Sequence, residues 1–195
     1  DPAVDDFIVN RLRQAGVFVV GILLVGMPFL THRGYYWGAT PTSISRVFFG
    51  TNPFPESIPV ADYLRANSDP KDRIFIYGSE PQILFLAERQ SASKFVPIYP
   101  LFQDFSRHEE FQATAWEELV ASKPKYIVAT NVPTSFVWDG RASKGFEKKV
   151  IKLLNDKYRI VAWVPVGPGK PELRLVATAA PSPFAEMTRH PGYLA

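Results

Sequence analysis

Residues 14–32 read QAGVFVVGILLVGMPFLTH, and no Asp, Glu, Lys or Arg interrupts the chain between Arg13 and Arg33. Roughly 20 mostly apolar residues in a helix cover the hydrocarbon core of a bilayer, and this stretch just meets that length. It is apolar all round, without a polar stripe, so it is not a surface helix. Gly16, Gly21, Gly26 and Pro28 fit the reading, because membrane helices tolerate both residue types better than soluble ones do. Tyr35, Tyr36 and Trp37 follow directly, as an aromatic belt at the membrane interface does. Arg11 and Arg13 flank the first end, and the more widely spaced Arg33 and Arg46 the second. The closer pair favours an N-terminus inside, which places the rest of the chain on the periplasmic or extracytoplasmic side of the inner (cytoplasmic) membrane. A buried core helix and a signal peptide are the other readings, although the aromatic run before Gly38-Ala39-Thr40 is a poor cleavage site. The opening DPAVDDFIVNRLRQ lacks an initiator Met, as a fragment or a processed product does.

Composition narrows the chemistry. The chain has no Cys, which excludes thiolate metal sites, disulfides and a Cys nucleophile, and suits an oxidising extracytoplasmic space. His32, His108 and His190 have no metal-ligand partner at helical spacing, so no metal and no cofactor is expected in this chain. The net charge of +3 is small. The densest basic cluster, Lys144, Lys148, Lys149 and Lys152, is a solvated helix face by its spacing, which argues against nucleic acid as a partner.

Organisation follows from the periodicities. Residues 1–14 form an N-terminal tail, 15–32 the transmembrane helix, and 33–56 an aromatic and Pro-rich membrane-proximal connector. The connector runs along the membrane surface or packs its aromatics on the domain. A soluble α/β domain spans 57–180 and an irregular, Pro-rich tail 181–195. Within the domain, Ile58, Ala61 and Leu64 give a helix capped by Ser57. RIFIYG is a strand, EPQILFLAE a short helix, and KFVPIYP a second strand. HEEFQATAWEELVASK is an amphipathic helix with Phe111, Ala115, Leu119 and Val120 inward. YIVATN is a strand covered on both faces. SKGFEKKVIKLLNDK is a helix with Phe146, Val150 and Leu153-Leu154 inward. YRIVAWVPV and ELRLVATAA, joined by GPGKP, form an antiparallel hairpin. The fold class is α/β, a three-layer sandwich whose mostly parallel sheet ends in that hairpin, preceded by one transmembrane helix.

The turn Gly78-Ser79-Glu80 ends a strand and opens a helix, where α/β proteins often bind ligands. It lacks Gly-x-Gly-x-x-Gly, and its Glu would repel a pyrophosphate. There is no Walker motif and no Gly-x-Ser-x-Gly. As a corner, the turn uses Gly78 for positive φ and Ser79 as a cap, with Glu80 and Pro81 in the first helical turn. As a site, it projects Glu80 from the carboxyl end of a strand, with Arg89 and Tyr99 along the same edge. Asp139 and Arg141, in a polar loop after the third strand, are ligand-binding candidates or a simple ion pair.

The run IPVADYLRANSDPKDRIFIYGSEPQILFLAERQSASKFVPIYPL (58–101) resembles the region after the last membrane helices of bacterial glycosyltransferases that use lipid-linked sugars. These are relatives of protein O-mannosyltransferases and lipid A aminoarabinose transferases. The resemblance rests on Val60 to Arg65, the strand from Asp72 to Gly78, Pro81 to Arg89, and Ala92 to Phe95 followed by Tyr99-Pro100, with Lys94 and Phe95 where Arg and Tyr are common in the family. It implies an extracytoplasmic C-terminal domain that is not catalytic by itself and caps the active-site cavity of a parent inverting glycosyltransferase. The parent would supply the remaining membrane helices, its catalytic acid, polyprenyl-phosphate sugar as substrate, and a divalent cation on the phosphate. The alternative is a single-span membrane-anchored α/β module for assembly or ligand binding within an envelope complex, with the bilayer and other membrane subunits as partners.

Overall fold

A computed structural model describes residues 2–136, 143–176 and 193–194. The chain divides into two compact units, Asp1–Ile44 and Ser45–Ala195.

The first unit is dominated by α1 (Pro2–Thr31), whose segment Phe7–Thr31 is long and apolar enough to cross a membrane and is not buried against protein. It is a candidate membrane span. A π-helical turn at Gly34–Gly38 follows and gathers aromatic rings, with Tyr36 4.7 Å and Trp37 5.8 Å from the Phe29 ring. Thr40 and Ser43 then form a reciprocal cap: each side-chain oxygen accepts the other's backbone N–H, at 2.9 and 3.1 Å. That pair starts α2 (Pro41–Phe49).

The second unit is α/β. Strand β1 (Arg73–Tyr77) is central, with β2 (Gln90–Ser91) and β3 (Tyr126–Ala129) parallel on either side. Its side chains alternate between two cores, as a strand's period of two requires. Ile74 and Ile76 pack with Val60, Ala61 and Leu64 of α3 (Phe54–Asn67) and with Ile83, Leu84 and Ala87 of α4 (Pro81–Ala87). Phe75 and Tyr77 pack with Ala115 and Leu119 of α5 (His108–Ser122) and with Phe146, Val150 and Leu154 of α6 (Gly145–Lys157). Phe75 and Phe146 are almost fully buried, each contributing about 2–3 kcal/mol by removal from water. Helices thus cover both faces of the parallel sheet. A separate antiparallel set has β4 (Ala162–Pro165) between β5 (Arg174–Leu175) and β6 (Tyr193–Leu194). The β4–β5 pair is the hairpin expected around GPGKP, and Val164 carries β4 into the α3/α4 core.

Three expectations are corrected. The second strand is Gln90–Ser91 rather than KFVPIYP. The Glu118 carboxylate accepts from Ser93 Oγ (2.7 Å) and the Lys94 N–H (3.0 Å), holding the chain off the ladder, and Pro97 has no N–H to give to one. Ser57 does not cap α3, which starts at Phe54; its hydroxyl donates back to the Pro53 carbonyl at 2.8 Å. On α5, Val120 is exposed and the buried polar position is Gln112.

Candidate functional site

Glu80 is a buried carboxyl group at the carboxyl end of the parallel sheet. It stands just before Pro81, the first residue of α4, yet its side chain makes no cap hydrogen bond to that helix. It turns inward instead and is 3% exposed. Thr130, just beyond β3, donates its hydroxyl to Oε2 at 2.7 Å, and Ser135, in a 3-10 turn at Pro133–Ser135, donates to Oε1. Both hydroxyls are themselves buried. The Thr130 N–H donates to the Tyr77 carbonyl at 3.0 Å, so one residue extends the β1–β3 ladder and holds the acid. Burial raises the Glu80 carboxyl above its ordinary range, opposed by the Ser135 and Thr130 hydroxyls and the Ser79 backbone.

Gly78 belongs to the same arrangement. A Cβ there would overlap Glu80 Oε2 and Thr130 Oγ1 and lie 2.9 Å from Thr130 Cβ. Its φ is not positive, so the turn needs Gly for space and not for a left-handed backbone. Ser79 does not cap α4 either; its hydroxyl is buried without a hydrogen-bond partner. The carboxylate is thus an internal acceptor that ties β1, β3 and the 133–135 turn together. Each carboxylate oxygen accepts one of these hydroxyls.

The other candidates do not converge on Glu80 as a group. Arg89 precedes β2, at the amino end of the sheet, with the length of β1 (about 13 Å) between it and the Glu80 end. Its guanidinium donates to Ser68 Oγ (2.8 Å) and to the carbonyls of Ser68 (2.6 Å), Arg65 (2.9 Å) and Ala87 (3.0 Å), clamping the ends of α3 and α4. Tyr99 is nearer, its hydroxyl donating to the Thr134 carbonyl at 3.3 Å beside Ser135. Asp139 and Arg141 lie outside the described residues. Tyr35, Tyr36 and Trp37 sit on the π-helical turn of the first unit, with Trp37 72% exposed. Among the described residues, no group of three or more His, Asp or Glu is placed to hold a metal ion.

Besides Thr130 and Ser135, the buried Glu56 and Gln112 escaped sequence reasoning. Glu56 is fully buried in the first turn of α3, where it accepts from Arg46 Nη2 and, at 3.4 Å, from the Gly167 N–H. Gln112 on α5 donates to the carbonyls of Leu101 and Ser143, each at 2.7 Å, and accepts from the Phe146 N–H at 3.3 Å. The signal was faint in both cases: a Glu beside prolines at a helix start, and a Gln within an otherwise apolar helix face.

Residues 55–161, more than half of the chain, match the family model described as "Putative competence-induced protein Ccs4 C-terminal domain". Neither a curated protein nor a solved structure matches the chain. The match encloses the whole 58–101 run and corrects the glycosyltransferase resemblance drawn from it, together with the function and the lipid-linked-sugar chemistry it implied. The physical reason lies in what those residues do. Val60, Ala61 and Leu64 are core positions, Gly78 makes room for Glu80 and Thr130, and Arg89 clamps helix ends. Such a pattern encodes packing of a helix–strand–helix unit, which unrelated functions share.

Proposed function

We infer that this chain, which belongs to the Ccs4 C-terminal domain family, acts as a membrane-anchored α/β module that binds or assembles with other envelope components and does no chemistry itself. The observation that carries this reading is that one chain holds both an apolar helix open along its length, Phe7–Thr31, and an α/β unit whose buried Glu80 is engaged by the hydroxyls of Thr130 and Ser135. On this reading α1 anchors the protein in the cytoplasmic membrane and the α/β domain stands outside. The absence of Cys and the close pair Arg11 and Arg13 ahead of the charge-free stretch 14–32 support that sidedness. The family description also makes production of the chain together with competence part of the proposal.

Topology decides it first. Because the chain has no Cys, single Cys variants of the exposed Lys152 on α6 and of Leu12, between Arg11 and Arg13 ahead of the charge-free stretch 14–32, report sidedness through a membrane-impermeant maleimide on intact spheroplasts. The proposal expects labelling at Lys152→Cys and protection at Leu12→Cys until lysis. The reverse pattern, or recovery of the chain in the soluble fraction, refutes it. Affinity capture of the chain from detergent-solubilised membranes then tests the assembly role, which is refuted if the chain elutes alone.

A further inference from the structure

Helix α2 carries its polarity inside out. A helix on a water-soluble protein turns charge outward and apolar side chains inward. Here Arg46 points inward, with its side chain only 16% exposed. It donates from Nε to the Gly167 carbonyl (2.9 Å), from Nη1 to the Asn52 carbonyl (3.1 Å), and from Nη2 to the buried Glu56. These partners belong to the start of α3 and to the β4–β5 loop, so the polar face of the helix is latched to the α/β domain. Apolar side chains on either flank of it are exposed, Val47 at 78% and Phe49 at 54%, and the Phe49 flank leads to α3. The Phe49 ring meets the Phe54 ring edge-on at 4.9 Å, and Phe54 and Ile58, one turn apart on the same face, are 41% and 55% exposed. Exposed apolar rows of this kind mark an interaction surface.

We propose that the row Phe49, Phe54 and Ile58 rests in the headgroup and upper acyl region of the same bilayer that α1 crosses, so that the end of α2 docks the domain on the lipid surface. This rests on the reading of α1 as a span. Lipid is favoured over a protein occupant by chain connectivity. Between Thr31, where α1 ends, and Pro41, where α2 begins, the chain extends no further than about 35 Å, and the coiled turn at Gly34–Gly38 shortens that reach. The row is thus tethered within a domain's diameter of the membrane. A surface held at such high effective concentration docks even when its intrinsic partitioning is weak. The chemistry also suits an interface: aromatic and aliphatic groups line the row. The acidic residue between Phe54 and Ile58, Glu56, is turned inward and ion-paired to Arg46. Asp62, the next acidic residue on α3, is exposed but bonded to Arg65 at 2.6 Å.

The test uses the full chain in phosphatidylcholine–phosphatidylglycerol vesicles, carrying one engineered Cys with an environment-sensitive fluorophore. Labels go at Phe49→Cys and, independently, at Ile58→Cys, with Leu23→Cys inside the span and the exposed Lys152→Cys as references. Quenching is read with a nitroxide placed near the headgroup of the lipid. Docking predicts several-fold stronger quenching at positions 49 and 58 than at 152, together with a blue-shifted emission. Quenching at Leu23 from a deep nitroxide, with 49 and 58 behaving like 152, overturns the docking while leaving the span intact. A blue shift at 49 and 58 without lipid quenching also overturns it, in favour of a second copy or another protein on the row. Failure of quenching at Leu23 refutes the span, and the docking falls with it.

Discussion

Replacing Glu80 separates what its hydrogen bonds contribute from what its charge costs. In Glu80→Ala the buried hydroxyls of Thr130 and Ser135 lose their acceptor. An unsatisfied buried hydroxyl costs about 1–3 kcal/mol, so a loss of about 3–5 kcal/mol is expected, including the space left by the side chain. In Glu80→Gln the amide oxygen accepts one hydroxyl and the amide N–H donates to the oxygen of the other, while no charge is buried. Glu80→Gln should therefore lie within about 1 kcal/mol of the parent at pH 7. The pH dependence follows from the raised carboxyl. Between the ordinary carboxyl value of 4.5 and the higher folded value, the folded state binds more protons than the unfolded one. Stability from this group is therefore fully present below about 4.5, declines as pH rises through the folded value, and is level above it. The stability of the parent relative to Glu80→Gln should fall over that window. Urea unfolding of the full chain in detergent, followed by Trp fluorescence from pH 4 to 8, measures all three proteins. Equal losses in Glu80→Gln and Glu80→Ala, with no pH-dependent difference from the parent, would refute the assignment of a buried internal acceptor whose carboxyl is raised by burial.

Arg46→Ala strands the fully buried Glu56 carboxylate and should cost about 3–5 kcal/mol; adding Glu56→Gln should recover part of the loss in the same unfolding assay, and no recovery would mean that the pair is not coupled. Gln112→Ala removes the partner of two carbonyls and one N–H that join α5 to Leu101, Ser143 and Phe146, with an expected loss of about 2–4 kcal/mol, whereas its exposed neighbour Glu109→Ala should change stability by less than about 0.5 kcal/mol.

Local sequence was sufficient where the information is local. A run of apolar residues uninterrupted by charge marks the candidate span, because length and hydropathy are read residue by residue along one helix. The alternation of Ile74, Phe75, Ile76 and Tyr77 announces a strand buried on both faces, and the spacing of Phe146, Val150 and Leu154 a helix with one inward face. Gly/Pro punctuation placed the β4–β5 hairpin. Even the start of α2 was written locally, in the Thr40–Ser43 cap, although the stretch reads as connector by composition.

Tertiary structure decided what the polar residues do. Glu80 finds Thr130 and Ser135 some 50 and 55 positions away, and Glu56 meets Gly167 at a separation of 111, pairings that no periodicity records. Gly78 looked like a conformational glycine and proves to be a spatial one, because the atoms that exclude a Cβ arrive from Glu80 and β3's end. The direction in which Arg46 points was equally invisible, since a short amphipathic helix presents either face until the Glu56 carboxylate and the Gly167 carbonyl claim one of them. Apolar patterning is fixed by exchange with water, which each segment negotiates alone. A buried polar group is fixed by the partner that replaces its water, and only the folded chain supplies that partner.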